Sequence, residues 1–223
     1  VTATSTEPDL AALYLETHHR LAALIAGLDG DALEQPVPGC PGWAVRDVMA
    51  HLVAIPDDAM AGRLTGPPTE EETAAQVARF RGHKMDEMVA QWRDQAPAFS
   101  ELVAGLSIWP AVIDVASHEQ DIRGALGRPG ARDSQVLRCS AERLIAFWEP
   151  PQPVRVVVED AEFEVGAGPQ DAIVVTTTRF EAFRWRLGRR SRQQLVQLDW
   201  NGDPTPVLDH MVVFRPAPVD IIE

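Results

Sequence analysis

The sequence predicts an α+β protein: an up-and-down helical bundle over residues 1–150, then a small α+β domain over 151–223. Three observations carry this expectation. Through the first two-thirds of the chain, apolar residues recur at helical spacing. The texture then breaks at Pro150-Pro151-Gln152-Pro153. Beyond the break, short runs of β-branched residues replace the helical pattern.

Leu10, Leu13, Leu21, Leu24, Ile25 and Leu28 mark a first helix over 9–28, with Ser5 and Thr6 as N-cap candidates and Pro8 suited to its first turn. Gly27 and Gly30 close it, and a loop with Pro36, Pro38 and Pro41 runs to Gly42. A second helix spans 44–64. Pro56 should kink or break it, because proline lacks the N–H and crowds the preceding turn. Gly66-Pro67-Pro68 is a stop, and Thr69 with Glu72 forms a capping-box pattern. That box opens a long helix over 70–105, bent near Pro97. Another helix begins after Pro110 and ends at Gly127, and a shorter one spans 134–148. Strands are expected at 154–158, 163–165, 173–178 and 195–198, with a short helix over 180–187 ended by Gly188.

A formal net charge of −13 argues against nucleic acid and anionic membranes as partners, since both repel an acidic surface. No window approaches the roughly 18 consecutive apolar residues of a membrane span. Residues 1–10 are polar and acidic and do not read as a signal peptide, so a cytoplasmic location is expected. Cys40 and Cys139 stand far apart with no CxxC, which leaves a zinc–thiolate knuckle or redox motif unsupported. Among 20 basic residues only Lys84 is lysine, a bias typical of GC-rich genomes.

His51 sits at the edge of the apolar stripe formed by Val45, Val48, Leu52 and Ile55. Taken alone, it reads as a hydrogen-bonded bundle histidine. Asp114 and His118 are spaced i, i+4, so both project from one helical face, which also carries Ala111, Val115, Ile122 and Ala125. Burying such groups unpaired costs roughly 2–7 kcal/mol each. Three arrangements meet that cost: a hydrogen bond across one turn, a divalent ion gripped by both, or pairing with another polar group. In the second, His51 completes a two-histidine, one-carboxylate set with positions left open. Asp121 either orients His118 or pairs at the surface with Arg123 or Arg128. His18, His19, His83 and His210 show no comparable partners and read as surface or local groups. Arginines 179, 184, 186, 189, 190 and 192 suit either an anionic ligand or salt bridges within an acidic protein.

Residues 38–52 (Pro38-Gly39-Cys40-Pro41-Gly42-Trp43-Ala44-Val45-Arg46-Asp47-Val48-Met49-Ala50-His51-Leu52) resemble the CPGWxVRDxxAHL signature of the mycothiol-dependent maleylpyruvate isomerase family, within the broader DinB-like group. Asp114, His118, Asp121 and Leu126-Gly127 stand where family members carry an acid, a histidine, an aspartate and a Leu-Gly pair. The family's acid is usually glutamate, and Asp114 is one methylene shorter. Residues 180–190 resemble the family's helix-then-GRR stretch, and 201–204 its closing turn. The resemblance implies a DinB-like bundle whose His51, Asp114 and His118 bind a divalent metal, commonly zinc. It implies mycothiol as the thiol cofactor, and isomerase or thiol S-transferase activity on a small electrophilic, anionic substrate. Arg189 and Arg190 would then hold the anion. Cys40 belongs to the turn as a structural residue rather than a nucleophile. An actinobacterial source, where mycothiol is made, fits the arginine bias, and DinB-like bundles often form homodimers. The alternative on the same scaffold is a non-catalytic small-molecule-binding or regulatory protein.

Overall fold

The computed structural model describes residues 7–169 and 171–223. The chain divides into two compact units, Val1–Gly130 and Ala131–Glu223. The first is all helical among its described residues, and the second carries a four-stranded sheet.

In the first unit, α1 (Leu10–Ala26) starts at Asp9, whose Oδ1 accepts from the Ala12 N–H at 3.1 Å. The caps expected at Ser5 and Thr6 lie outside the described residues. The segment read as a loop contains one helical turn, α2 (Gly30–Leu33), capped by the Asp29 carboxylate. Next, α3 (Val45–Met60) runs through Pro56 without a break. Proline removes one backbone bond there, while Val48, Met49, Leu52 and Val53 bury the face of the preceding turns.

The long helix expected over 70–105 is two helices, α4 (Glu70–Phe80) and α5 (Met85–Gly105). Thr69 and Glu72 form the capping box that starts α4. A turn at 81–84 then separates the two, and the Lys84 N–H donates to the Glu87 carboxylate at 3.2 Å to start the second. Pro97 lies within α5. Last comes α6 (Trp109–Ala125), with Pro110 in its first turn, where no backbone bond is lost.

Here α1 packs on α5 and α6, and α3 packs on α4, α5 and α6. Leu13, Leu21, Met49, Val53, Phe99 and Val112 fill the core. Trp92 is fully buried, and its Nε1 donates to the Tyr14 hydroxyl at 3.1 Å. His18 is not a surface group. It is 1% exposed, and its ring centroid lies 4.1 Å from that of Trp92.

The second unit opens with α7 (Gln135–Ala146), followed by β1 (Val154–Val158), β2 (Ala161–Val165), β3 (Ile173–Thr176), α8 (Arg179–Arg186), α9 (Arg192–Val196) and β4 (Asp199–Asn201). The sheet order is β2-β1-β3-β4. Both outer pairs are antiparallel and the central β1–β3 pair is parallel. Val154, Val156 and Val158 alternate inward to meet Ile145, Trp148, Val175 and Trp185. Because α7 lies against α8 and β2, it groups with the sheet, and the unit boundary falls earlier than the Pro150 texture break. Of the strand expected at 195–198, Leu195 and Val196 are the end of α9, and Gln197 and Leu198 form the turn after it. Ser191 and Gln194 cap that helix reciprocally, and the fourth strand starts only at Asp199. No helix among the described residues is long and apolar enough to cross a membrane.

Two outcomes test this packing. Trp92→Ala should cost about 3–5 kcal/mol of stability, read from urea denaturation, because it opens a cavity and strips Tyr14 of its partner. Burial, with His19 beside it, pushes the His18 pKa down from 6.5 to about 4. Between these values the unfolded chain binds a proton that the folded protein refuses. Stability should therefore be full above pH 6.5 and fall as pH drops toward 4. The urea midpoint of His18→Phe should fall less over that interval than that of the parent protein.

Candidate metal centre

A Pro/Gly turn sets the entry to α3. Val37 N–H donates to the Trp43 carbonyl at 2.9 Å, and Trp43 N–H donates to the Cys40 carbonyl at 3.0 Å. Gly42 sits at φ +86°, a region that a Cβ disfavours. The Asp47 carboxylate then accepts from the Ala44 N–H at 2.9 Å and starts the helix that carries His51. Trp43 is half-buried, with its ring 5.6 Å from that of His51 and 6.5 Å from that of His118.

Helix α6 brings Asp114 and His118 to the same place. Asp114 Oδ2 is 3.5 Å from His51 Nε2, and its Oδ1 is 3.4 Å from His118 Nε2. These separations exceed the roughly 2.7–2.9 Å of a charge-assisted hydrogen bond. They match the edge of a tetrahedron whose metal–ligand bonds are about 2.1 Å. The ligand atoms of the three residues all lie within 4.8 Å of one another. Both histidines are buried, whereas the Asp114 side chain is 32% exposed and forms the solvent side of the cluster.

The remaining ring nitrogens are engaged on the far sides. His118 Nδ1–H donates to Asp121 Oδ2 at 3.0 Å, and His51 Nδ1 lies 2.9 Å from Gln76 Oε1. Asp121 is buried and serves His118, while Arg123 pairs with Glu119. Cys40 Sγ lies behind His118, 3.7 Å from Nδ1 and 3.4 Å from Asp121 Oδ2. Burial opposes ionisation of Asp114, but His118 and His51 together hold its carboxyl far below the usual range. Burial likewise opposes a proton on His118, and Asp114 and Cys40 outweigh it, so its pKa stands well above 6.5.

The structure thus gathers His51, Asp114 and His118, which the sequence offered together as a two-histidine, one-carboxylate set. Arg189 and Arg190 lie in the second unit. Arg190 is buried, and its fork binds the Glu181 carboxylate at 2.7 and 2.8 Å, with Glu223 at 3.3 Å. Arg189 donates to the Leu187 carbonyl at 2.8 Å. Arg179 meets Glu142 and Glu159, Arg184 meets Glu223, and Arg192 meets Asp209. Arg186 donates to the Leu144 and Met211 carbonyls, and burial lowers its pKa to about 10. Salt bridges within the second unit therefore account for much of the arginine run. Sequence reasoning did not single out Gln76. Its one signal is a polar residue beside Val77 on the inward face of α4.

Fold and site together define a helical bundle with an internal two-histidine, one-carboxylate cluster, followed by a small sheet-bearing unit. Residues 14–112 match the family model described as the mycothiol maleylpyruvate isomerase N-terminal domain. Two solved structures share the fold. One is a mycothiol-dependent maleylpyruvate isomerase, at TM-score 0.56 and 16% identity. The other is a histidine-to-alanine mutant of a mycothiol-dependent maleylpyruvate isomerase, at 0.57 and 15%. Each alignment covers 81% of this chain and 88% of the other. Comparison with curated proteins gives no sequence match.

Asp121→Ala should lower the His118 pKa, followed by proton NMR of the imidazole. It should also destabilise the protein by about 1–3 kcal/mol, because a buried donor loses its acceptor.

Proposed function

We propose that the protein is a metal-dependent, mycothiol-dependent isomerase or thiol S-transferase acting on a small electrophilic substrate. One observation carries the proposal: two buried imidazoles turn their Nε2 atoms toward opposite oxygens of one carboxylate, while both Nδ1 atoms are engaged elsewhere. Nitrogen and oxygen donors of this kind suit zinc and similar divalent ions, with at least one position left for a ligand. His51 and His118 would hold the ion through neutral Nε2, and Asp114 through a carboxylate oxygen. A divalent ion held at this place would lower the pKa of a thiol bound to it and so supply thiolate near neutral pH.

The chain's own residues do the rest. Asp121 keeps the proton of His118 on Nδ1, the side away from Asp114. Trp43 lies beside both imidazoles, where its ring limits water and gives a flat apolar surface. Asp114 marks the side open to solvent, by which a thiol and an electrophile would enter. Arg190 is left out of the proposal, because its fork already holds two glutamates.

One observation favours a second reading, a non-catalytic small-molecule-binding protein. Asp114 and His118 satisfy each other's charge without an ion. Metal analysis separates the two. On the first reading, the purified protein carries about one equivalent of divalent metal, as a single site of this type should. The His51→Ala, His118→Ala double variant should lose it while keeping its helical circular dichroism. The parent protein should then turn over electrophiles only when mycothiol is present. No metal uptake after zinc is supplied would favour the binding protein.

A further inference from the structure

The buried polar network continues past the three candidate ligands. Gln76 on α4 and Asp58 on α3 are 2% and 6% exposed. Gln76 Oε1 lies 2.9 Å from His51 Nδ1, and Gln76 Nε2 donates to Asp58 Oδ2 at 2.8 Å. The other Asp58 oxygen accepts from Arg63 Nε at 2.7 Å and from Arg79 Nη1 at 2.8 Å. A chain of hydrogen bonds thus runs from His51 to two partly exposed arginines.

Each link in this chain has one allowed direction. A guanidinium only donates, so Arg63 and Arg79 fix Asp58 as an ionised acceptor. Asp58 can then accept only from the amide nitrogen of Gln76, which determines how that amide is turned. The Gln76 oxygen is left facing His51 and can only accept. His51 must therefore carry its proton on Nδ1, which puts the lone pair on Nε2. Without this constraint, Asp114 Oδ2 at 3.5 Å would draw the proton to Nε2 and block that atom as a ligand.

We infer that Gln76, oriented by Asp58, is the positioning residue that sets the tautomer of His51 and aims its Nε2 lone pair into the candidate metal centre. The inference rests on reading His51 as a ligand. It also gives α4 a role. Asp121 orients His118 from the same helix, whereas His51 is oriented from a neighbouring one. Docking of α4 on α3 therefore completes the site.

Long-range proton–nitrogen NMR of the metal-free protein, at a pH where His51 is neutral, reads the tautomer directly. Two variants bracket the idea. Gln76→Met removes the acceptor with little change in volume. Gln76→Glu combined with Asp58→Asn exchanges carboxylate and amide, yet leaves every donor facing an acceptor. The parent and the double variant should show Nδ1–H, and Gln76→Met should shift toward Nε2–H. Zinc affinity, measured by competition with a chelating dye, should fall about 10- to 100-fold in Gln76→Met and return to at least the parent value in the double variant. Retention of Nδ1–H and full zinc affinity in Gln76→Met would overturn the inference, as would loss of Nδ1–H in a folded double variant. If the parent binds no zinc, the metal reading fails, and the tautomer spectrum still decides the role of Gln76.

Discussion

Asp114 faces two imidazoles inside a helical bundle, and much of the surrounding structure answers to that one arrangement. Ionised groups removed from water are tolerated only with partners of opposite charge or with a bound cation. The bundle supplies the first of these. His118 does most to hold the carboxyl in its charged form, and each imidazole is pinned on its far side by an acceptor. The carboxylate is therefore stable in the bare protein and already turned toward both Nε2 atoms, the arrangement on which the proposed ion site rests. Such preorganisation reduces the ordering cost of binding.

The helices are arranged to keep these polar groups in place. The Cys40–Trp43 turn starts α3 in a fixed direction, so His51 enters from one side. Proline 110 and the i, i+4 spacing on α6 present Asp114 and His118 from the other. Pro56 costs α3 one backbone bond but does not interrupt it, and the helix carries on to Asp58, which anchors Gln76. On this view α4 is more than packing, since it delivers the amide that meets His51. The second unit follows a different logic. Its buried arginines meet carboxylates or carbonyls of their own unit, which ties short elements together around a small core.

Where sequence and structure part, the cause is mostly local competition that a periodic pattern does not show. Residues 70–105 carry one apolar stripe, but a backbone cap at Lys84 restarts the helix after a turn. Residues 195–198 are mostly apolar, yet Ser191 and Gln194 cap a helix just upstream and delay the strand. His18 lacks any acid at helical spacing and so looked peripheral, although Trp92 from another helix covers it. Gln76 was silent for a similar reason: a single amide on a helix face has no spacing rule of its own.

The sequence by itself determined the order of a helical region and a sheet-bearing region, the turn that starts α3, and the three residues from which a site can be built. It could do so because capping, helical spacing and turn chemistry act over a few residues, within reach of the printed order of side chains. Only the tertiary structure decided that His51 lies opposite Asp114, that Asp121 backs His118, and that Gln76 links His51 to Asp58. Those relations join helices far apart in sequence, and they are set by how apolar faces pack, which fixes distances between side chains only once the bundle has closed.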